Sequence, residues 1–135
     1  MEKRFIRILD TNLNRCKEGI RAIEDTCRFV LNDDVFYKKL RKVRHLSSKY
    51  LSSMYEEMLN VRDSMKDSGR KVKEQKRENL KNIVIANFKR VEESLRVLEE
   101  YSKIINFDIA LKYKKLRYEI YNIEKKMVLK YKNLI

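Results

Sequence analysis

The sequence predicts an all-α protein: a helical bundle of two repeated αα-hairpins, about four long helices, with approximate internal twofold symmetry. Three observations predict it. The 135-residue chain has no proline and two glycines, too few turn residues for many turns. Its apolar residues recur at 4-3-4-3 spacing over long stretches, the stripe of an amphipathic helix. The segment Asn12–Glu24, NLNRCKEGIRAIE, returns at Asn87–Glu99 as NFKRVEESLRVLE, and a repeat of this kind constrains the whole architecture. The length suits one domain, residues 1–135, with a real hydrophobic core.

The first helix carries Leu9, Leu13, Cys16, Ile20, Ile23, Cys27 and Val30 on one stripe. Phe5 extends that stripe, so the helix starts at Lys3 or at a cap near Asp10 or Thr11. Asn32-Asp33-Asp34 ends it and caps the next helix. The second helix is expected over about residues 34–60, through Phe36, Leu40, Val43, Ser47, Met54 and Met58. Repeat one is thus about 5–60. Residues 61–77 lack periodicity and form a connection longer than a simple helix–helix turn. Repeat two, about 78–133, opens near Glu78 or Asn79. Val84, Phe88, Val91, Leu95, Leu98, Ser102 and Ile105 then repeat the first stripe at an offset of 75. After Asn106-Phe107-Asp108, the fourth helix carries Ile109, Tyr113, Leu116, Ile120, Ile123, Met127 and Tyr131. The second halves share YKKLR, at Tyr37–Arg41 and Tyr113–Arg117, with an offset of 76. In that register Arg44 aligns with the apolar Ile120 and faces inward.

The formal net charge is +13, which calls for an anionic partner (nucleic acid, acidic lipid or a phosphorylated small molecule) or is simply a lysine-rich composition. No apolar run approaches the roughly 18 residues of a membrane span, and MEKRFIRILD does not read as a signal peptide, so a cytoplasmic location is expected. Cys16 and Cys27 are too far apart along one helix for a disulfide and read as small buried hydrophobes. With so few glycines, no backbone cradle for phosphate is expected. Phosphate must then be held by arginine and lysine side chains.

The repeat singles out polar residues: Asn12 and Asn87, Arg15 and Arg90, Glu18 and Glu93, Arg21 and Arg96, Glu24 and Glu99. Spacing of i,i+3 with alternating sign would make an ordinary surface ion-pair ladder. Yet the two copies agree residue for residue, and the positions wind around the helix. Arg15 and Glu24 fall on opposite borders of the buried stripe and Asn12 falls within its edge, placements suited to an interhelical cleft. Gly19, mid-helix, reads as a close helix–helix approach or as room for a ligand beside Arg15. Arg44 needs an anionic partner, either a glutamate or a bound phosphate, and His45 beside it is a surface residue or a ligand contact. Arg62 is a candidate phosphate clamp at the start of the connection. Asp63 is the one catalytic candidate, as a base or metal ligand, and otherwise a turn residue.

RILDTNLNRCKEGIRAIEDTCRFVLND, LRKVRH, VRDSMKDSG and IANFKRVEESLRVLEEYSK stand in this order along nearly the whole chain. Together they resemble the alternative hydroxymethylpyrimidine phosphate kinases. These are unrelated to the ribokinase-like enzyme and occur as a helical domain fused ahead of some bacterial thiamine-phosphate synthases. The resemblance implies a stand-alone kinase of thiamine biosynthesis using ATP and Mg²⁺. The resemblance does not assign residues; on the kinase reading the repeated set makes Asn12, Asn87, Glu24 and Glu99 the expected substrate contacts, and Arg15, Arg21, Arg44, Arg90 and Arg96 the expected phosphate or orienting contacts. Thiamine-phosphate synthase is an expected partner, and a homodimer is compatible with such a bundle. The other reading is a non-catalytic helical module that binds a thiamine-pathway enzyme or a polyanion.

Overall fold

The computed structural model describes residues 2–134. They form α1 (Lys3–Asp25), α2 (Asp34–Lys49), α3 (Tyr55–Val61), α4 (Leu80–Ile105) and α5 (Phe107–Lys130), an all-α bundle with no strand among the described residues. In the ring of long helices, α1 packs on α4 and α2, and α5 packs on α4 and α2. Helices α1 and α4 run antiparallel. Phe5 meets Tyr101 at one end, ring centroids 5.7 Å apart, and Gly19 meets Asn87 and Val91 further along.

The predicted stripes are the core. Leu9, Cys16, Ile20 and Ile23 of α1 and Val84, Phe88, Val91, Leu95 and Leu98 of α4 are fully buried or nearly so. Leu40 and Val43 of α2 and Tyr113, Ile120, Ile123 and Met127 of α5 complete it. Tyr113 stays buried because its hydroxyl donates to the Ser47 carbonyl at 2.7 Å and its ring meets Tyr50 edge-on. Both cysteines are free and buried, and burial pushes each thiol up to about 12. They are packing groups, as the sequence indicates.

Two expectations are corrected. The second helix of repeat one is not continuous to Asn60. It stops at Lys49, passes through a 3₁₀ turn at Ser52–Met54 and resumes as the short α3, which stands beside the four long helices expected. The cause is local: serines cluster here, and the Ser47 and Ser52 hydroxyls donate to the carbonyls of Arg44 and Lys49, competing with the helical ladder. The register drawn from YKKLR also fails. The N-caps of α2 and α5 are Asp33 and Asn106, 73 positions apart, not 76. Arg44 therefore corresponds to Arg117 rather than to Ile120. The shift arises in the first hairpin turn. There α1 widens into a π-helical turn at Thr26–Val30, with Leu31 N–H donating to the Thr26 carbonyl, and Asn32 adopts a left-handed φ of 51°. In the second hairpin Asn106 alone both ends α4 and caps α5.

The α2 N-cap is tied to the far end of the chain. The Asp33 carboxylate accepts from Phe36 N–H and from Lys130 Nζ at 2.9 Å, and the Tyr131 hydroxyl donates to it as well. Burial would raise this carboxyl, but these donors override it and hold it down at about 2.

Candidate functional site

The connection after α3 folds back over the α1–α4 pair and encloses a groove of about 900 Å³. One wall is helical: Asp10, Asn14, Arg15 and Glu18 of α1 with Arg90 and Glu93 of α4. The other is the connection, through Arg62, Asp63, Asp67, Arg70, Lys73 and Arg77. The connection is pinned at its start. Arg62 forks onto Asp10, Nε to Oδ2 at 2.8 Å and a terminal nitrogen to Oδ1 at 2.6 Å. Asp63 and Asp67 then shape short turns, accepting from the backbone N–H groups of Lys66 and Gly69.

The repeated arginines divide into two kinds. Arg21 lies 3.9 Å from Glu24 and 4.0 Å from Asp25, and Arg96 lies 3.0 Å from Glu99 and 3.2 Å from Glu100. Arg44 donates to the fully buried Glu24 at 2.7 Å, and Arg117 makes the corresponding bond to Glu99 at 3.0 Å. All of these are committed within the protein. Arg15 and Arg90 are not: among the described residues neither has a carboxylate within 4.0 Å, though Glu18 and Glu93 line the same groove. Arg15 makes one long contact, 3.5 Å, to Asn12 Oδ1. Two unpaired guanidinium groups at one cleft form an anion-binding arrangement.

Behind these arginines the groove adjoins a niche of about 200 Å³ between the two helices, lined by Asn12, Arg15, Arg90, Glu93, Ser94 and Val97. Asn12 is buried, its amide donating to the Ile8 carbonyl at 2.9 Å. Asn87 makes the same bond to the Ile83 carbonyl at 2.8 Å.

The structure thus brings Asn12, Arg15, Arg90, Arg62 and Asp63 to one cleft. Glu24, Glu99, Arg21, Arg96 and Arg44 lie apart from it in ion pairs, those of Arg21 and Arg96 within one helix and that of Arg44 with Glu24 between two, and His45 is exposed on α2. Sequence reasoning missed Asp10 and Asn14, although the Asp10, Asn14, Glu18 spacing of i,i+4 puts them on one helix face beside Arg15. It also missed Arg70, Lys73 and Arg77, which have no periodicity to mark them. Gly19 is a close approach: an added Cβ would lie 2.7 Å from Val91 Cγ2 and 3.3 Å from the Asn87 carbonyl oxygen.

Among the described residues, no group of three or more His, Cys, Asp or Glu is placed to hold a metal ion. Glu92 and Glu124 share Lys89, whose Nζ is 3.3 Å from Glu92 Oε1 and 3.2 Å from Glu124 Oε2. Burial, then the neighbouring Glu124, raises the Glu92 carboxyl to about 7. No helix among the described residues is long and apolar enough to cross a membrane.

A model of the ThiD2 family matches residues 7–126. The chain is 40% identical to a thiamine-phosphate synthase of Nostoc punctiforme over 125 residues, covering 90% of this chain and 35% of that protein. It is 36% identical over 130 residues to the thiamine-phosphate synthase of Thermosynechococcus vestitus, covering 94% of this chain and 36% of the relative. A third relative, the thiamine-phosphate synthase of Prochlorococcus marinus strain SARG, is 37% identical over 136 residues. The chain spans about a third of the length of these relatives. No solved structure matches.

Proposed function

This chain belongs to the ThiD2 family of thiamine biosynthesis, and on that premise we propose that it phosphorylates hydroxymethylpyrimidine phosphate to the diphosphate, with ATP as donor. The observation that carries the reading is the groove in which Arg15 and Arg90 have no carboxylate partner while the other repeated arginines do. Phosphoryl transfer asks a protein mainly for positioning and charge neutralisation, and a set of arginine forks supplies both without a glycine-rich loop. In this reading Arg15 and Arg90 take the phosphate of the pyrimidine substrate. Arg70, Lys73 and Arg77 face the polyphosphate of the donor.

Mg²⁺ fits this site through its usual habit of taking one or two carboxylates and completing its shell with phosphate oxygens and water. Asp63, Asp67 and Glu74 are the carboxylates on the connection side, and Asp63 and Asp67 would hold the cation. When bound, Mg·ATP would supply the phosphoryl group and part of the neutralising charge. The attacking group is a phosphate oxygen, already ionised at neutral pH because the second ionisation of a phosphate monoester falls near 6. A general base adds little to such a nucleophile, so the role assigned to Asp63 is cation binding rather than proton removal.

The runner-up is a non-catalytic module that docks on thiamine-phosphate synthase or a polyanion. The observation on its side is the exposed basic surface of α2 and α5, which includes Lys38, Lys39, Arg41, Lys42, Lys114 and Lys126. An assay of ADP release and diphosphate formation from hydroxymethylpyrimidine phosphate separates the two readings. Turnover is expected, and its absence in protein shown to be helical and monodisperse overturns the kinase.

A further inference from the structure

Resting on the kinase reading, we infer that the chain has one substrate-ring pocket, not two. It is the niche lined by Asn12, Ser94 and Val97 between α1 and α4, and the matching side around Asn87 has been closed by Gly19.

The offset of 75 makes the inference possible, because it pairs each niche residue with a counterpart. Asn12 pairs with Asn87, Ser94 with Gly19, and Val97 with Ala22. The two sides are therefore chemically alike at the asparagine and unlike at the two positions facing it across the helix pair. Where Gly19 stands, the helices meet so closely that a single methyl group would collide with Val91 and press on the Asn87 carbonyl. Asn87 lines neither the groove nor the niche. On the other side the larger Ser94 and Val97 stand across from Asn12, and a niche of about 200 Å³ remains. Its size falls below the roughly 300–1,000 Å³ of pockets for drug-sized ligands and suits a single ring, while a whole nucleotide fits the 900 Å³ groove outside.

The chemistry of the niche suits a polar heterocycle with a charged tail. Asn12 spends one amide hydrogen on Ile8 and its Oδ1 takes one long contact from Arg15, so the other amide hydrogen and the remaining Oδ1 lone pair can read a ring edge that offers an acceptor beside a donor. Glu93 can accept from an exocyclic amine, and Val97 packs against the ring face. Arg15 and Arg90 line both niche and groove, so a phosphate attached to the ring would meet them at the mouth.

The two asparagines are each other's control, since Asn12→Ala and Asn87→Ala remove the same bond to an i−4 carbonyl. Binding of hydroxymethylpyrimidine phosphate is measured by calorimetry for wild type and both variants, with turnover measured separately. Asn12→Ala is expected to weaken binding about tenfold or more, the scale of a lost buried hydrogen bond, and Asn87→Ala by less than about twofold. Val97→Phe, which fills the niche, should weaken this ligand while changing ATP binding by less than about twofold. Equal effects of the two asparagine variants, or a larger effect at Asn87, overturn the single-niche assignment. So does absence of binding to folded wild-type protein. Binding with the expected asymmetry but no turnover leaves the niche standing and removes the kinase.

Discussion

Gly19 shows how much a single residue decides in this molecule. Alanine there would gain roughly 1 kcal/mol of helix propensity, but its methyl would meet the fully buried Val91, and overpacking of that kind costs about 1–3 kcal/mol. Gly19→Ala is therefore expected to be net destabilising in urea melts. In a Val91→Ala background the same change should lose most of its penalty, because the colliding atom is gone. Glu92 offers a prediction in pH. Its carboxyl sits near 7 in the folded state against an ordinary 4.5, so the native protein binds more protons than the unfolded chain between those values. Stability must then fall as pH rises through that window. Urea midpoints at pH 5 and pH 8 should differ less in Glu92→Gln than in wild type. An unchanged difference would place the titration elsewhere.

At the scale of elements, what was legible in the sequence follows from how locally each feature is encoded. The stripes of α1, α4 and α5 were readable because every turn of those helices buries one or two apolar side chains. The break after Lys49 was not, since Ser47, Leu51, Met54 and Met58 keep helical spacing across it while the serine hydroxyls end the helix. The register of α2 against α5 was misread from a lysine-rich pentapeptide, because the π-helical turn and Asn32 add residues that leave no mark in apolar periodicity. The ion pairs show the true correspondence: Glu24 with Arg44, and Glu99 with Arg117. The connection is the element whose role depends on one contact. Breaking the Arg62–Asp10 fork with Arg62→Ala should speed amide exchange over residues 62–79 and lower kcat/KM, with the core of α4 and α5 unaffected. Uniformly faster exchange through the bundle would instead make this ion pair part of the global fold.

For the whole molecule, the bundle is a frame that aims two arginines from antiparallel helices at one cleft. The repeat announced those arginines but not which of the five repeated polar pairs face a ligand. That division is tertiary: it depends on which border of the stripe looks toward α2 or α5, where Glu24 and Glu99 find arginines, and which looks toward the groove. The most direct test is steady-state kinetics of ATP-dependent phosphorylation of hydroxymethylpyrimidine phosphate by wild type, Arg15→Ala, Arg90→Ala and Arg44→Ala. The groove variants should keep the wild-type urea midpoint and lose kcat/KM by roughly 10- to 100-fold, since each removes a charge-assisted contact. Arg44→Ala should do the reverse, destabilising the fold by about 3 kcal/mol by leaving the buried Glu24 with only its long 3.9 Å contact to Arg21, with kcat/KM preserved at temperatures where it is folded. Groove variants with kcat/KM within about twofold of wild type would contradict the account.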